Sequence, residues 1–395
     1  MKSSITAGQN RNEVLAPSAR TPFYLYDESQ IQDSLARFRS IPYANSALHF
    51  ATMANDNPFL LRLLKKEGFG VFVNSPKHLK AAFDAGFSSE DIIFASTGLS
   101  RELMELLIKH KIHVNLDSLS QVALYGSLNP GSQVGIRINI DEKSKNNVFI
   151  GAESRIGMLE SELPALFELA SRHGLRLTGT HVYLGTDIAL KDILQGIEKT
   201  LALSDRFPGL EFIDLGGGFP IDPERFDFEA YKKTVSALFE DYSRKRGRSI
   251  KMIIEPGRSL FGQSGTFFTT VTDVKERPNR IIVCCDASAS LIPRAMFYED
   301  YNPVTVPGGE GKALFDKPVD IVGSTTYSRD FLAKGISLPR VEVGEQLIFG
   351  QAGSYCYSMI TRFLGQALPP EILRTVGGQF EIIRPGESFL TEAGR

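Results

Sequence analysis

The octapeptide Ile213-Asp214-Leu215-Gly216-Gly217-Gly218-Phe219-Pro220 constrains this chain most: a short apolar run halts at three consecutive glycines, with a proline just beyond. Without a Cβ, backbone N–H groups can turn toward an anion and let it approach closely. Taken alone, a triple glycine is equally a tight turn. The balance shifts with a second stretch, Met252-Ile253-Ile254-Glu255-Pro256-Gly257-Arg258-Ser259, an apolar strand that ends in a carboxylate and an arginine. If the two strands are neighbours in a parallel barrel, the glycine loop and the Arg258 fork converge on one spot suited to a phosphate.

The rest of the chain supplies such a barrel. Apolar runs recur near 47–52, 69–73, 92–95, 114–117, 133–139, 175–182, 212–215 and 251–255. Helical periodicity fills most of the gaps, as at 58–66, 76–85, 100–109, 190–206 and 228–242. Eight strands alternating with helices predict an α/β fold, a (β/α)8 TIM-type barrel over 45–260. A doubly wound open sheet competes, but no G-x-G-x-x-G opens the first unit. Beyond Glu255 the rhythm changes to strand-like runs at 265–275, 280–285, 319–322 and 346–349 among Pro/Gly-rich loops. That pattern predicts a C-terminal all-β domain, 261–395, to which 21–44 is added: the aromatic strand 23–26 pairs into the sheet, and Asp27 caps a connecting helix through about Phe38. Residues 1–20 read as a flexible polar tail.

Composition narrows the function classes. At 395 residues the chain has room for two domains, and 44 basic against 46 acidic residues leave a formal charge of −2. Nothing there draws nucleic acid or an anionic membrane; the densest basic run, Arg244-Lys245-Arg246-Gly247-Arg248, reads as the end of a surface helix. No apolar run reaches the ~20 residues of a bilayer span, and 1–20 lacks the apolar core of a secretory signal. Cys284, Cys285 and Cys356 have neither metal-site nor disulfide spacing, so no metal is expected and a cytoplasmic location is the simplest reading.

In such a barrel the chemistry sits at the C-terminal strand ends, with phosphate commonly held by the loops after strands seven and eight. Those loops contain Gly216, Gly217 and Gly218, and then Arg258. Glu255, closing strand eight, is either a solvated rim charge or the partner of a protonated ring nitrogen.

At this point the chain resembles the fold-type III pyridoxal-phosphate decarboxylases, the family of diaminopimelate, ornithine and arginine decarboxylases. The likeness is carried by Thr21-Pro22-Phe23-Tyr24-Leu25-Tyr26-Asp27, Ala54-Asn55-Asp56-Asn57-Pro58, the glycine motif, Glu255-Pro256-Gly257-Arg258 and Ala352-Gly353-Ser354-Tyr355, in that order along nearly the whole length. It implies a barrel that holds pyridoxal 5'-phosphate, a β-domain, and a homodimer whose active sites lie between subunits. Gly216, Gly217, Gly218, Arg258 and Tyr355 would hold the cofactor phosphate, with Thr186 where the family has a serine. Glu255 would pair with the pyridine nitrogen.

The same resemblance exposes departures. The Schiff-base lysine position holds Met53, and a thioether cannot form an imine, so the cofactor is expected to be bound non-covalently. The family's strand-two acid falls at Phe72; losing both charges together avoids burying either alone. Tyr183 stands where a histidine stacks on the cofactor ring, while His181 matches a histidine of many members. The cysteine that reaches in from a partner subunit falls at Thr326, with Asp330 retained nearby. Arg294, in 286–298, is close to the arginine that takes a substrate carboxylate, or is a surface arginine. Three readings stay open: an amino-acid or diamino-acid decarboxylase without a lysine tether; an inactive homologue that binds or regulates; and an active enzyme whose lysine was engineered to Met53. Phe72, Tyr183 and Thr326 weigh against the last.

Overall fold

The computed structural model describes residues 19–140, 150–298 and 300–388; most of the 1–20 tail lies outside them. The chain divides into two compact units, Tyr26–Gly265 with Gln351–Ile360, and Met1–Leu25 with Thr266–Gly350 and Thr361–Arg395.

Phe23–Asp27 (β1) leads into Glu28–Arg39 (α1), whose first turn is capped by the Asp27 carboxylate accepting the Gln30 N–H. The barrel follows: Ser46–Ala51 (β2), Pro58–Lys66 (α2), Gly70–Val73 (β3), Pro76–Asp84 (α3), Ile92–Phe94 (β4), Arg101–Lys109 (α4), His113–Leu116 (β5), Leu119–Leu128 (α5), Gln133–Arg137 (β6), Leu163–His173 (α6), Arg176–His181 (β7), Leu190–Ser204 (α7), Phe212–Asp214 (β8), Phe228–Arg246 (α8) and Lys251–Ile254 (β9). Strands β2 to β9 pair in parallel, and Ser46 opposite Met252 closes the ring. All eight predicted strands are therefore present and in order. Side-chain oxygens of Asn57, Ser75, Ser100, Ser118 and Asp227 accept first-turn N–H groups, which fixes where helices α2, α3, α4, α5 and α8 begin. Inside the barrel, Phe72, Ile93, Ala95, Phe212 and Ile253 form an apolar core against which Ala47 and Met53 pack.

Arg258–Phe261 (α9) ends the barrel unit's first segment. The unit takes in more than 45–260. Residues 26–44 fall with it because the buried Phe38 of α1 packs edge-on against Phe219 and Phe228, at 5.2 and 5.0 Å. Gln351–Ile360 also belongs to it, tied down where Tyr355 N–H reaches the Ala54 carbonyl at 2.8 Å.

The second unit is a nine-stranded sheet. Besides β1, its strands are Gly265–Arg277 (β10), Arg280–Cys285 (β11), Val304–Thr305 (β12), Val319–Val322 (β13), Phe331–Ile336 (β14), Gln346–Phe349 (β15), Glu371–Arg374 (β16) and Phe380–Arg384 (β17), with Arg294–Tyr298 (α10) as a short helix between β11 and β12. The order β14-β13-β11-β10-β1-β16-β17 places the N-terminal strand inside the sheet, and β15 pairs with both β10 and β12. Phe23 stacks on Phe268 at 4.6 Å, so the aromatic richness of β1 serves this sheet's core.

Candidate active site

The three glycines turn the chain over the barrel mouth between the ends of β7 and β9. Gly216 and Gly218 have φ of 64° and 106°, a region that disfavours any side chain. A Cβ on Gly216, Gly217 or Gly218 would lie 2.5 Å from the carbonyl oxygen of Val182, Glu255 or Gly185 respectively. Gly216 N–H is bonded to Asp214 Oδ1 at 3.0 Å, and its carbonyl accepts Glu255 N–H at 2.8 Å. The N–H groups of Gly217 and Gly218 have no acceptor among the described residues. Beside them the Arg258 guanidinium lies over the Tyr355 ring, 5.1 Å from its centre, and has no carboxylate partner among the described residues. Tyr355 holds φ of 53°, a strained value for tyrosine that brings it to this spot. Tyr183 Oη and Thr186 Oγ1 are 2.8 Å apart next to the loop. The result is a cationic, N–H-rich cradle for an anion.

Behind the cradle lies a buried polar cluster. Glu255 is 5% exposed, and its Oε1 has no hydrogen-bond partner among the described residues. Burial, then the neighbouring Asp214 carboxylate, push the Glu255 carboxyl well above its ordinary range. Asp214, fully buried, is pushed up by burial too. Two carboxylates side by side out of water cannot both be charged cheaply, so the pair holds a proton near neutral pH. The Arg137 guanidinium, at the end of β6, offsets the neighbouring carboxylates; it lies 3.5 Å from Asp117, and its Nε has no partner among the described residues. His181 Nε2 is 3.7 Å from Glu255 Oε2, beyond a hydrogen bond, and neither ring nitrogen has a hydrogen-bond partner among the described residues. Burial and then Arg137 hold its pKa well below the usual value, so the imidazole is neutral. Ligand-type atoms of His181, Asp214 and Glu255 lie within 4.8 Å of one another, close enough for a divalent ion. Arg137, however, already supplies positive charge to those carboxylates.

The adjoining stretch of the mouth, at the ends of β2 and β3 next to β9, is lined by Met53 and Phe72. Met53 packs on the cluster that contains Phe72, and the Phe72 ring tilts against His181 at 5.6 Å. Asn74, just past β3, points its amide nitrogen at Met53 Sδ, 3.7 Å away. Its amide oxygen meets His78 Nδ1 at 2.9 Å.

Met53, Tyr183, Thr186, Gly216, Gly217, Gly218, Glu255, Arg258 and Tyr355 thus share one unit. Arg294, Thr326 and Asp330 belong to the other. Thr326 is exposed on its loop. Asp330 is 3% exposed and uses both oxygens within its own chain, accepting from Ala289 N–H at 2.6 Å, Thr325 N–H at 3.0 Å and the Thr325 hydroxyl at 2.5 Å. In this chain it ties the 323–330 loop to 287–289. Arg294, at the start of α10, forks onto Asp300, with Nε 2.8 Å away. Sequence reasoning missed Arg137, Asp117, Asp214, Asn74 and His78. For Arg137 and Asp214 a signal existed: a charge within an apolar strand, as in Gly135-Ile136-Arg137-Ile138, must find a partner.

Residues 28–262 match the family model for the pyridoxal-dependent decarboxylase, pyridoxal binding domain. The diaminopimelate decarboxylase of Methanothermobacter thermautotrophicus is 27% identical over 95% of this chain and 91% of its own length. The L-glutamyl-(BtrI acyl-carrier protein) decarboxylase of Niallia circulans is 30% identical over 92% of this chain and 91% of its own length. A crystal structure of diaminopimelate decarboxylase superposes with a TM-score of 0.85 at 26% identity, covering 94% of this chain and 93% of that one. That of the Helicobacter pylori enzyme complexed with L-lysine gives 0.83 at 25%, covering 96% and 98%.

Proposed function

The chain belongs to the pyridoxal-dependent decarboxylase family, and from that premise we propose that it decarboxylates an amino acid or diamino acid with pyridoxal phosphate held by non-covalent contacts alone. One observation carries the reading: the buried Glu255 carboxyl, its Oε1 unpartnered, faces the mouth beside the open N–H groups of Gly217 and Gly218. A ring nitrogen and a phosphate are the two groups those atoms call for, so the residues present fit the cofactor.

Gly217, Gly218, Arg258, Tyr355 and Thr186 would hold the phosphate, Tyr183 would stack on the ring and Glu255 would face its nitrogen. Bound there, pyridoxal phosphate supplies a carbonyl that captures an amine and a ring that accepts the electron pair left by CO₂. The chain's own part in this is electrostatic. The proton retained by the Asp214–Glu255 pair is positioned at Glu255 to reach the ring nitrogen, and Arg137 stabilises the carboxylate that remains. Met53 offers no amine. Met53 and Phe72 share one apolar cluster, which supports a co-adapted site over a single engineered change and equally suits the alternative, a non-catalytic binding relative. Arg294 remains the candidate for a substrate carboxylate, which would have to displace Asp300. A homodimer contributing Thr326 across its interface, and a cytoplasmic location, complete the proposal. No described helix is long and apolar enough to cross a membrane.

The test is a purified chain loaded with pyridoxal phosphate. The cofactor is expected to dialyse away, and borohydride to leave the chain unmodified; a reduced adduct on any lysine refutes non-covalent binding. CO₂ release from meso-diaminopimelate, L-lysine, L-ornithine or L-arginine separates the enzyme from the silent relative. Sedimentation reads the dimer.

A further inference from the structure

The atoms around Met53 fix the state of a histidine that the proposed function leaves unused. A thioether accepts hydrogen bonds, weakly, and never donates. Asn74 must therefore present its NH₂ to Met53 Sδ, at 3.7 Å, and its carbonyl oxygen to His78, at 2.9 Å. An amide oxygen only accepts, so His78 must donate from Nδ1. The proton being there, Nε2 keeps its lone pair. One sulfur thus sets an amide orientation, and the amide sets a tautomer.

The neighbours leave His78 as the usable base at this end of the mouth. Asp56 is buried and accepts from Lys77 Nζ at 2.6 Å, and the exposed Lys77 ammonium donates but cannot accept a proton. Asp56 from the loop after β2 and Lys77 on α3 are the charged groups acting on His78. Burial, the largest influence, lowers its pKa from the ordinary value, Asp56 raises it and Lys77 lowers it, so the ring is neutral at pH 7. Half-buried His78 sits at the N-terminal turn of α3, on the rim where the strands end.

We infer that His78, locked as the Nδ1–H tautomer by Asn74 and Met53, is the base that deprotonates the incoming substrate amine. The inference rests on the decarboxylase reading of the site. In the step, an N–H bond of the substrate ammonium breaks and an Nε2–H bond forms; the ammonium becomes a neutral amine with a lone pair, and the imidazole becomes imidazolium. No oxidant or reductant is involved. A lysine at position 53 would undo the arrangement, because an ammonium only donates: Asn74 would turn its oxygen to it and its NH₂ to His78, making Nδ1 the acceptor.

Two measurements test this. The first uses the ligand-free chain with ¹⁵N-labelled histidine and long-range ¹H–¹⁵N spectra, assigned with His78→Gln. The expected result is a neutral His78 protonated at Nδ1, switching away from that tautomer in Met53→Lys. A proton on Nε2, or no response to Met53→Lys, overturns the lock. The second follows absorbance as the pyridoxal-phosphate-loaded chain captures glycine or methoxyamine. Glycine arrives as an ammonium and needs a base, whereas methoxyamine is already a free amine at neutral pH. His78→Gln should slow glycine capture by about a hundredfold and leave methoxyamine capture unchanged. Equal slowing of both, or of neither, overturns the base role. A chain that takes up no pyridoxal phosphate sinks the proposed function and the base role with it, while the tautomer reading is decided by the first measurement alone.

Discussion

Two neighbouring stretches of the barrel mouth, one at the ends of β8 and β9 and the other at the ends of β2 and β3, are built on opposite principles. At the ends of β8 and β9, the groups at the mouth are backbone N–H donors, a guanidinium and a buried carboxyl, several without partners among the described residues. At the ends of β2 and β3, the facing groups are a thioether and a phenyl ring packed in the core. Unpartnered buried polar atoms are costly, and a fold retains them where a ligand completes them. An apolar lining carries no such cost and asks for no ligand. On the proposed reading, the contrast separates gripping the cofactor from tethering it: the cradle would serve the first, and Met53 offers no amine for the second.

The largest expected effect breaks that contrast from the apolar side. Phe72→Asp puts an unpaired carboxyl into the core and should lower stability by about 3–5 kcal/mol, read by urea unfolding. Adding Met53→Lys should recover part of the loss. If the pair unfolds at the sum of the two single costs, the two positions are not coupled and the co-adaptation argument fails.

A baseline comes from the barrel's other end. His49 is buried there and His113 half-buried, near Lys251, with pKa values lowered chiefly by desolvation to about 3 and about 4. The unfolded chain binds protons on both from pH 6.5 downward while the folded one does not. Stability is therefore full above pH 6.5 and falls as the pH drops toward 4, by up to about 1.4 kcal/mol per pH unit for each histidine. Unfolding midpoints of His49→Gln across that range should show a shallower fall; an unchanged slope would remove His49 from the account.

Gly217→Ala attacks the polar half. Its methyl group would meet the Glu255 carbonyl at 2.5 Å, displacing the loop and misdirecting its N–H groups. The loss of one charge-assisted hydrogen bond is about 2 kcal/mol, roughly thirtyfold in pyridoxal-phosphate affinity, measured by titration. Gly377→Ala, whose Cβ would meet only Thr375 Oγ1 at 3.8 Å, is the control, and equal losses in both would deny the cradle its role.

The smallest effect is expected of Asp214→Asn. Removing the like charge lets the Glu255 pKa fall, so the ligand-free chain should release the retained proton at lower pH. Cofactor affinity at pH 7 should change less than about threefold. Proton release on titration by difference infrared in the carboxyl band checks it; an unmoved band means the two carboxyls do not share a proton.

How much of this was legible beforehand follows from what each signal depends on. The barrel was legible because strand and helix periods, and caps such as Asn57 and Ser75, are written within a few residues of where they act. The cradle was legible for the same reason, since glycines at φ of 64° and 106° state a local backbone need. Met53 and Phe72 were legible as substitutions in a resembled motif, and their shared packing was not. Asp330 was retained in the motif, yet its oxygens are engaged by Ala289 and Thr325.

By itself, then, the sequence determined the order of elements, the glycine turn and the residue at position 53, all consequences of short-range sterics and chemistry. Only the tertiary structure decided that Asp214 and Glu255 are buried side by side near Arg137, that residues 351–360 join the barrel unit, and that Asn74 lies between Met53 and His78. Those facts depend on which groups from distant segments exclude water from one another, and desolvation exists only once the chain has closed around them.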